Sequence, residues 1–151
     1  MKQGYKLSRF MEVATWFLMV VDVLLMVGLP WITEFLTSQV PGSTLYTHYL
    51  IFLYVTGVFA EPVLWQCRGI IRNVNIGQPF CKDTVRRLRR LGTVCLVLAA
   101  LWLLFVIFLE VFKFLMAFLM IMFAFIGLIL FVFAELFAQA IAYKEENDMT
   151  I

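Results

Sequence analysis

The sequence predicts an all-α polytopic membrane protein: a four-transmembrane-helix bundle with cytoplasmic termini and an amphipathic helical cytoplasmic loop. Three observations predict it. Apolar residues make up 64% of the 151 and charged residues 15%, against roughly 45–50% and roughly 25% in soluble domains. A domain of this size cannot bury that much apolar surface. The apolar residues also fall into four stretches of membrane-spanning length. Finally, eleven of the twelve Lys and Arg lie on one side of those stretches.

A membrane helix needs about 20 mostly apolar residues. The first span is placed at 10–30, where Pro30 is expected to stop it. Its length and its Gly-Leu-Pro-Trp ending differ from a cleavable signal peptide, so it reads as a retained anchor. The second span covers 45–65 and extends as a helix to about 74. Cys67, Ile70, Ile71 and Val74 continue one apolar face, with Arg68 and Arg72 outside it. Asn75, Gly77 and Pro79 then break the chain. A new helix starts after Phe80 and places Cys81, Val85, Leu88, Gly92 and Cys95 on one face. It leads into the third span at 91–111. The fourth span covers 114–143. A single helix over 91–143 would be roughly 80 Å long at about 1.5 Å per residue, far beyond the roughly 30 Å hydrocarbon core. The polar break from Glu110 to Lys113 therefore marks a tight turn.

Lys2, Lys6 and Arg9 precede the first span, and Lys144 follows the fourth. Arg68, Arg72, Lys82, Arg86, Arg87, Arg89 and Arg90 lie between the second and third, leaving Lys113 alone on the far side. The positive-inside rule then puts both termini in the cytoplasm of a cell whose inner membrane holds the protein. The net charge of +2 conceals this asymmetry.

Residues that could carry chemistry are few. Cys67, Cys81 and Cys95 lie on or near the cytoplasmic side, where thiols stay reduced. They form no close pair, and the lone His48 is across the membrane, so no metal site is expected. No phosphate loop, dinucleotide fingerprint or nucleophile elbow is present. No cofactor is expected, and the chain does not read as an enzyme.

Asp22 is the sharpest single feature because it falls near the middle of the first span. An Asp there costs roughly 2.5–3.5 kcal/mol on insertion scales. The span's 11 Leu, Ile, Phe and Val offset about 3–6 kcal/mol at roughly 0.3–0.6 kcal/mol each. The span still inserts, with the carboxyl expected to face other helices. One reading is a proton, cation or ligand site. The other is an interhelical hydrogen bond, for example to Thr56 or Tyr54. Glu61 precedes Pro62, which cannot donate to the carbonyl of Val58. It reads as part of a polar site with Asp22, or as a group reaching Arg68. Glu12, Glu61 and Glu135 lie at similar depth below the basic loop, a pattern that suggests internal ion pairs. Ala134, Ala138 and Ala142 repeat at a spacing that lets helices approach, within one chain or between copies in a homo-oligomer.

The cluster Arg86, Arg87, Arg89 and Arg90, with Arg68 and Arg72, is expected to meet anionic lipid headgroups or an acidic protein partner. Direct nucleic-acid binding is not expected, since no DNA-reading fold surrounds it. The tail that carries Glu146, Asn147 and Asp148 is acidic and can dock on the basic loop, with 149–151 packing behind it.

Two segments stand out: Gly69-Ile-Ile-Arg-Asn-Val-Asn-Ile-Gly-Gln-Pro-Phe with Thr84-Val-Arg-Arg-Leu-Arg-Arg-Leu-Gly92, and the ending Lys144-Glu-Glu-Asn-Asp-Met-Thr-Ile151. They resemble a bacterial family of small four-helix membrane proteins, domain of unknown function 2975, whose closing pattern is E-N-D-L-T-V. Cys81 stands where the family usually has a helix-capping Ser. The resemblance implies four spans and no established activity. It also implies a helix-turn-helix regulator, often encoded beside such proteins, as a candidate cytoplasmic partner. The leading expectation is therefore a regulatory or interaction protein that docks a cytoplasmic partner on its basic loop and tail. The alternative is a small oligomeric transporter or ligand sensor using Asp22 and Glu61.

Overall fold

The computed structural model describes residues 2–38, 44–108 and 113–149. They form four helices: α1 (Lys2–Ser38), α2 (Thr44–Asn75), α3 (Lys82–Phe108) and α4 (Lys113–Met149). All four are long and apolar enough to cross a membrane. The expected turn at Glu110–Lys113 falls on 109–112, outside the described residues, apart from Lys113, which opens α4.

The first helix departs from the expected bounds. Pro30 lies inside α1, which runs on to Ser38. Helices of this apolar kind accept an internal proline because neighbouring groups compensate the freed backbone. Pro62 is likewise interior to α2. The amphipathic loop segments are extensions of α2 and α3, joined by a short connection at 76–81.

That connection follows from local chemistry. Gln78 N–H donates to the Asn73 carbonyl (3.0 Å) and Gly77 N–H to the Val74 carbonyl (3.0 Å), a Schellman closure. Gly77 supplies the left-handed φ of 76° that it requires. On the other side, Val85 N–H donates to the Cys81 carbonyl (3.3 Å), which makes Cys81 the N-cap of α3. The Cys81 Sγ lies 3.2 Å from the Thr84 hydroxyl.

Helices pack in chain order, α1 on α2, α2 on α3, α3 on α4, and among the described residues no other pair brings its backbones together. The bundle is thus open. α3 is its spine, with Leu91, Cys95, Leu98, Ala99 and Trp102 all buried. At the end away from the loop, Trp102 meets Phe52 of α2 edge-on at 4.2 Å, and both join Met116 of α4 in one apolar cluster. At the loop end, Val85 and Leu88 of α3 enclose Ala134 of α4, with Ala138 and Ile141 beside them. The small-residue stripe therefore serves contact inside the chain at Ala134, while Ala142 is exposed. α1 lies at one edge of this open bundle, resting on α2 alone among the described residues. Its Phe10, Phe17, Leu24 and Trp31 are between 65% and 69% exposed, a surface suited to hydrocarbon.

Candidate functional site

The candidate polar side chains fall into two regions, one between α1 and α2 within the apolar span and one at the loop end.

Asp22 lines a cleft of about 340 Å³ with Leu18, Val21 and Leu25 of α1, Thr56 and Ala60 of α2, and deeper walls from Leu98 and Phe123. Its Oδ2 is enclosed and has no hydrogen-bond partner among the described residues. The expected bond from Thr56 is not made, because the Thr56 hydroxyl donates to the Phe52 carbonyl (2.9 Å), four residues back on its own helix. Glu61 is not part of this cleft. It faces a separate hollow of about 310 Å³ with Trp16, Met19, Val20, Val23 and Leu24. The two carboxylates expected to share a site thus open on different sides of the α1–α2 contact. Residue spacing along each helix was visible in the sequence, but the rotation of one helix against the other was not.

Glu61 does not reach Arg68 either. The Arg68 guanidinium lies over the Trp16 ring at 4.7 Å from its centroid, where the ring's negative face attracts it. Both Glu61 Oε1 and Arg68 Nε lack hydrogen-bond partners among the described residues. Of the three carboxylates expected in ion pairs, Glu135 meets Arg89 (3.4 Å). Glu12 instead accepts a hydrogen bond from the Asn75 amide (2.8 Å), tying α1 to the end of α2.

The loop end is organised by a residue that sequence reasoning passed over. Asn73 is buried and donates to Asp83 (3.0 Å) and to the Thr84 hydroxyl (3.0 Å). Arg87 Nε donates to the same Asp83 oxygen (2.7 Å), and its Nη1 reaches Gln66 (3.4 Å). Gly69 makes room for this arginine, since a Cβ there would collide with the guanidinium. Asp83 precedes the apolar stretch that begins at Leu91. The Asn73 amide and the Arg87 guanidinium hold its carboxyl below the usual carboxylate range. Gly69, Asn73 and Arg87 thus serve to hold the α2–α3 connection. The available signal was an Asn at the end of an apolar face followed ten residues later by an Asp, which is too common to stand out.

The remaining candidates divide cleanly. Lys82 pairs with Glu145 of α4 (2.9 Å), so the tail helix is tethered beside α3. Arg89 is taken by Glu135. Arg72, Arg86 and Arg90 are exposed and make no hydrogen bond or ion pair among the described residues. Arg86 and Arg90 stand one turn apart on the face of α3 opposite buried Leu88. Glu146 and Asn147 are exposed at the end of α4, and the side chain of Asp148 and residues 150–151 lie outside the described residues. No group of three or more His, Cys, Asp or Glu that could hold a metal occurs among the described residues.

A family model described as a protein of unknown function (DUF2975) matches residues 28–151, and the chain belongs to that family. This establishes the membership first suggested by the loop and the ending. The Arg cluster, Asn73 and the tail lie inside the matched segment, and Asp22 lies before it. No curated protein and no solved structure matches the chain.

Proposed function

Starting from that membership, we propose that the protein is a multi-pass membrane protein that holds an acidic-surfaced cytoplasmic partner at the bilayer through Arg72, Arg86 and Arg90. The observation that carries this reading is the division among the basic side chains. Lys82, Arg87 and Arg89 are matched to Glu145, Asp83 and Glu135. Arg68 is held over the Trp16 ring, and Arg72, Arg86 and Arg90 are left facing outward. A folding role or a purely topological one does not require that separation. Arg is suited to such contact because its planar fork grips carboxylates in pairs. Glu146 and Asn147 flank the same end and extend the surface. In this reading the loop faces the cytoplasm, as the charge bias suggests. The helix-turn-helix regulator implied by the family resemblance is the candidate partner.

The structural roles of Arg87 and Arg89 sharpen the test. Co-purification of the regulator with the full chain is compared with that of an Arg72→Gln, Arg86→Gln, Arg90→Gln variant, which leaves the internal pairs intact. Recovery is expected to fall in the variant, and wild-type recovery to weaken as salt rises, because exposed charge pairs are screened. Equal recovery from both proteins would count against the docking surface. Weaker retention of anionic lipid by the detergent-solubilised variant, with regulator recovery unchanged, would reassign these arginines to lipid headgroups.

A further inference from the structure

The cleft at Asp22 has no part in the docking reading. Its walls are apolar apart from Asp22 and Thr56. Asp22 Oδ2 is enclosed without a donor. The Thr56 hydroxyl has spent its proton on Phe52, so toward the cleft it can only accept. Thr56 thus offers the cleft only an acceptor, and Asp22, once ionised there, calls for a cation that can donate hydrogen bonds.

The kind of cation follows from the walls. A hard metal ion wants about six oxygen ligands, and the cleft's side chains offer those of one carboxylate and one hydroxyl. An alkylammonium brings three N–H donors on a point charge and an apolar body. The route in also favours an amphiphile. Leu18 and Leu25, on the rim, are each 51% exposed on the outer surface of α1. The cleft thus opens sideways, toward lipid rather than toward an aqueous mouth. Its volume of about 340 Å³ sits at the low end of the roughly 300–1,000 Å³ of small-molecule sites.

We propose that the α1–α2 cleft binds a lipophilic primary amine from the membrane, its ammonium on Asp22 and Thr56 and its chain against Leu98 and Phe123. This assignment is independent of the docking surface, and Glu61 has no part in it.

The test uses the full chain in phosphatidylcholine nanodiscs, with dodecylammonium chloride as probe and dodecanol as the uncharged control of equal chain length. Dodecylammonium is expected to raise the thermal unfolding midpoint of the wild type and of Glu61→Gln, and dodecanol to leave both unchanged. Asp22→Asn should weaken the apparent affinity by about tenfold or more. Ala60→Leu, which fills the cleft and keeps the carboxylate, should abolish the shift. An equal shift with dodecanol, no shift with the amine, or a full shift in Asp22→Asn would overturn the proposal. The amine-against-alcohol comparison on the wild type decides even if a variant fails to fold.

Discussion

At position 81 a sulfur occupies the place of a capping oxygen. A Ser at an N-cap accepts a hydrogen bond from a backbone N–H of the first turn, worth about 0.5–2 kcal/mol against Ala. Cysteine is a weaker acceptor, and the Cys81 Sγ lies instead against the Thr84 hydroxyl at 3.2 Å. That hydroxyl already accepts from buried Asn73 (3.0 Å). Cys81→Ser keeps the size and backbone position and restores the better acceptor. It is expected to stabilise the α2–α3 connection by about 0.5–1 kcal/mol, read as a higher midpoint in thermal unfolding of the purified protein. A lower midpoint would show that the sulfur packs better than it caps. This departure from the family pattern was legible in the sequence because capping is local. The pairing of Arg68 with Trp16 (4.7 Å) was not, because the two residues meet only once α1 lies on α2.

Among the elements, α3 and α4 form the tightest pair, and two glycines set their spacing. A Cβ at Gly127 would stand 3.1 Å from the Gly92 carbonyl oxygen, and one at Gly92 would stand 3.1 Å from the Gly127 oxygen and 2.9 Å from the Phe131 ring. Backbone atoms cannot swing aside, so a side chain here must push the helices apart. Gly127→Val is expected to destabilise the hairpin by about 1–3 kcal/mol, the usual cost of overpacking. Gly57 is the control. A Cβ there meets only the Met26 side chain (2.8 Å), which is long and flexible enough to move. Gly57→Ala should therefore leave the unfolding midpoint close to wild type, and equal damage from both changes would refute the distinction. The same contrast shows where sequence reading stops at this scale. The break at Asn75, Gly77 and Pro79 was legible because turns are made by neighbours in the chain. The apolar face through Val85, Leu88, Gly92 and Cys95 was legible because all four share one helix, and all are buried. The run of α1 through Pro30 to Ser38 was not legible, because a rule drawn from water-exposed helices misjudges a helix in hydrocarbon.

For the molecule as a whole, the helices pack serially, so that α1 and α4 each rest on one neighbour among the described residues. The contacts Glu12–Asn75 and Lys82–Glu145 gather the start of α1, the loop and the end of α4 at one end. Whatever its orientation, the protein therefore presents its N-terminal region, its basic loop and its tail to the same side. The charge asymmetry predicts that this side is cytoplasmic. Eleven of twelve Lys and Arg lie at that end or in the segments leading to it, and moving them across a membrane during insertion is disfavoured. The expectation can be read directly by cysteine labelling in intact bacterial cells. In a background of Cys67→Ala, Cys81→Ser and Cys95→Ala, one reporter is Thr47→Cys, exposed near the start of α2 at the far end. The other is Gln78→Cys, exposed in the connection. A membrane-impermeant maleimide should label the Thr47 reporter in intact cells and the Gln78 reporter only after permeabilisation. The reverse pattern would turn the protein over. It would place Arg72, Arg86 and Arg90 where no cytoplasmic partner reaches them, and so remove the docking surface. The Asp22 cleft would survive that result, because it opens to lipid and a membrane amine reaches it from either leaflet.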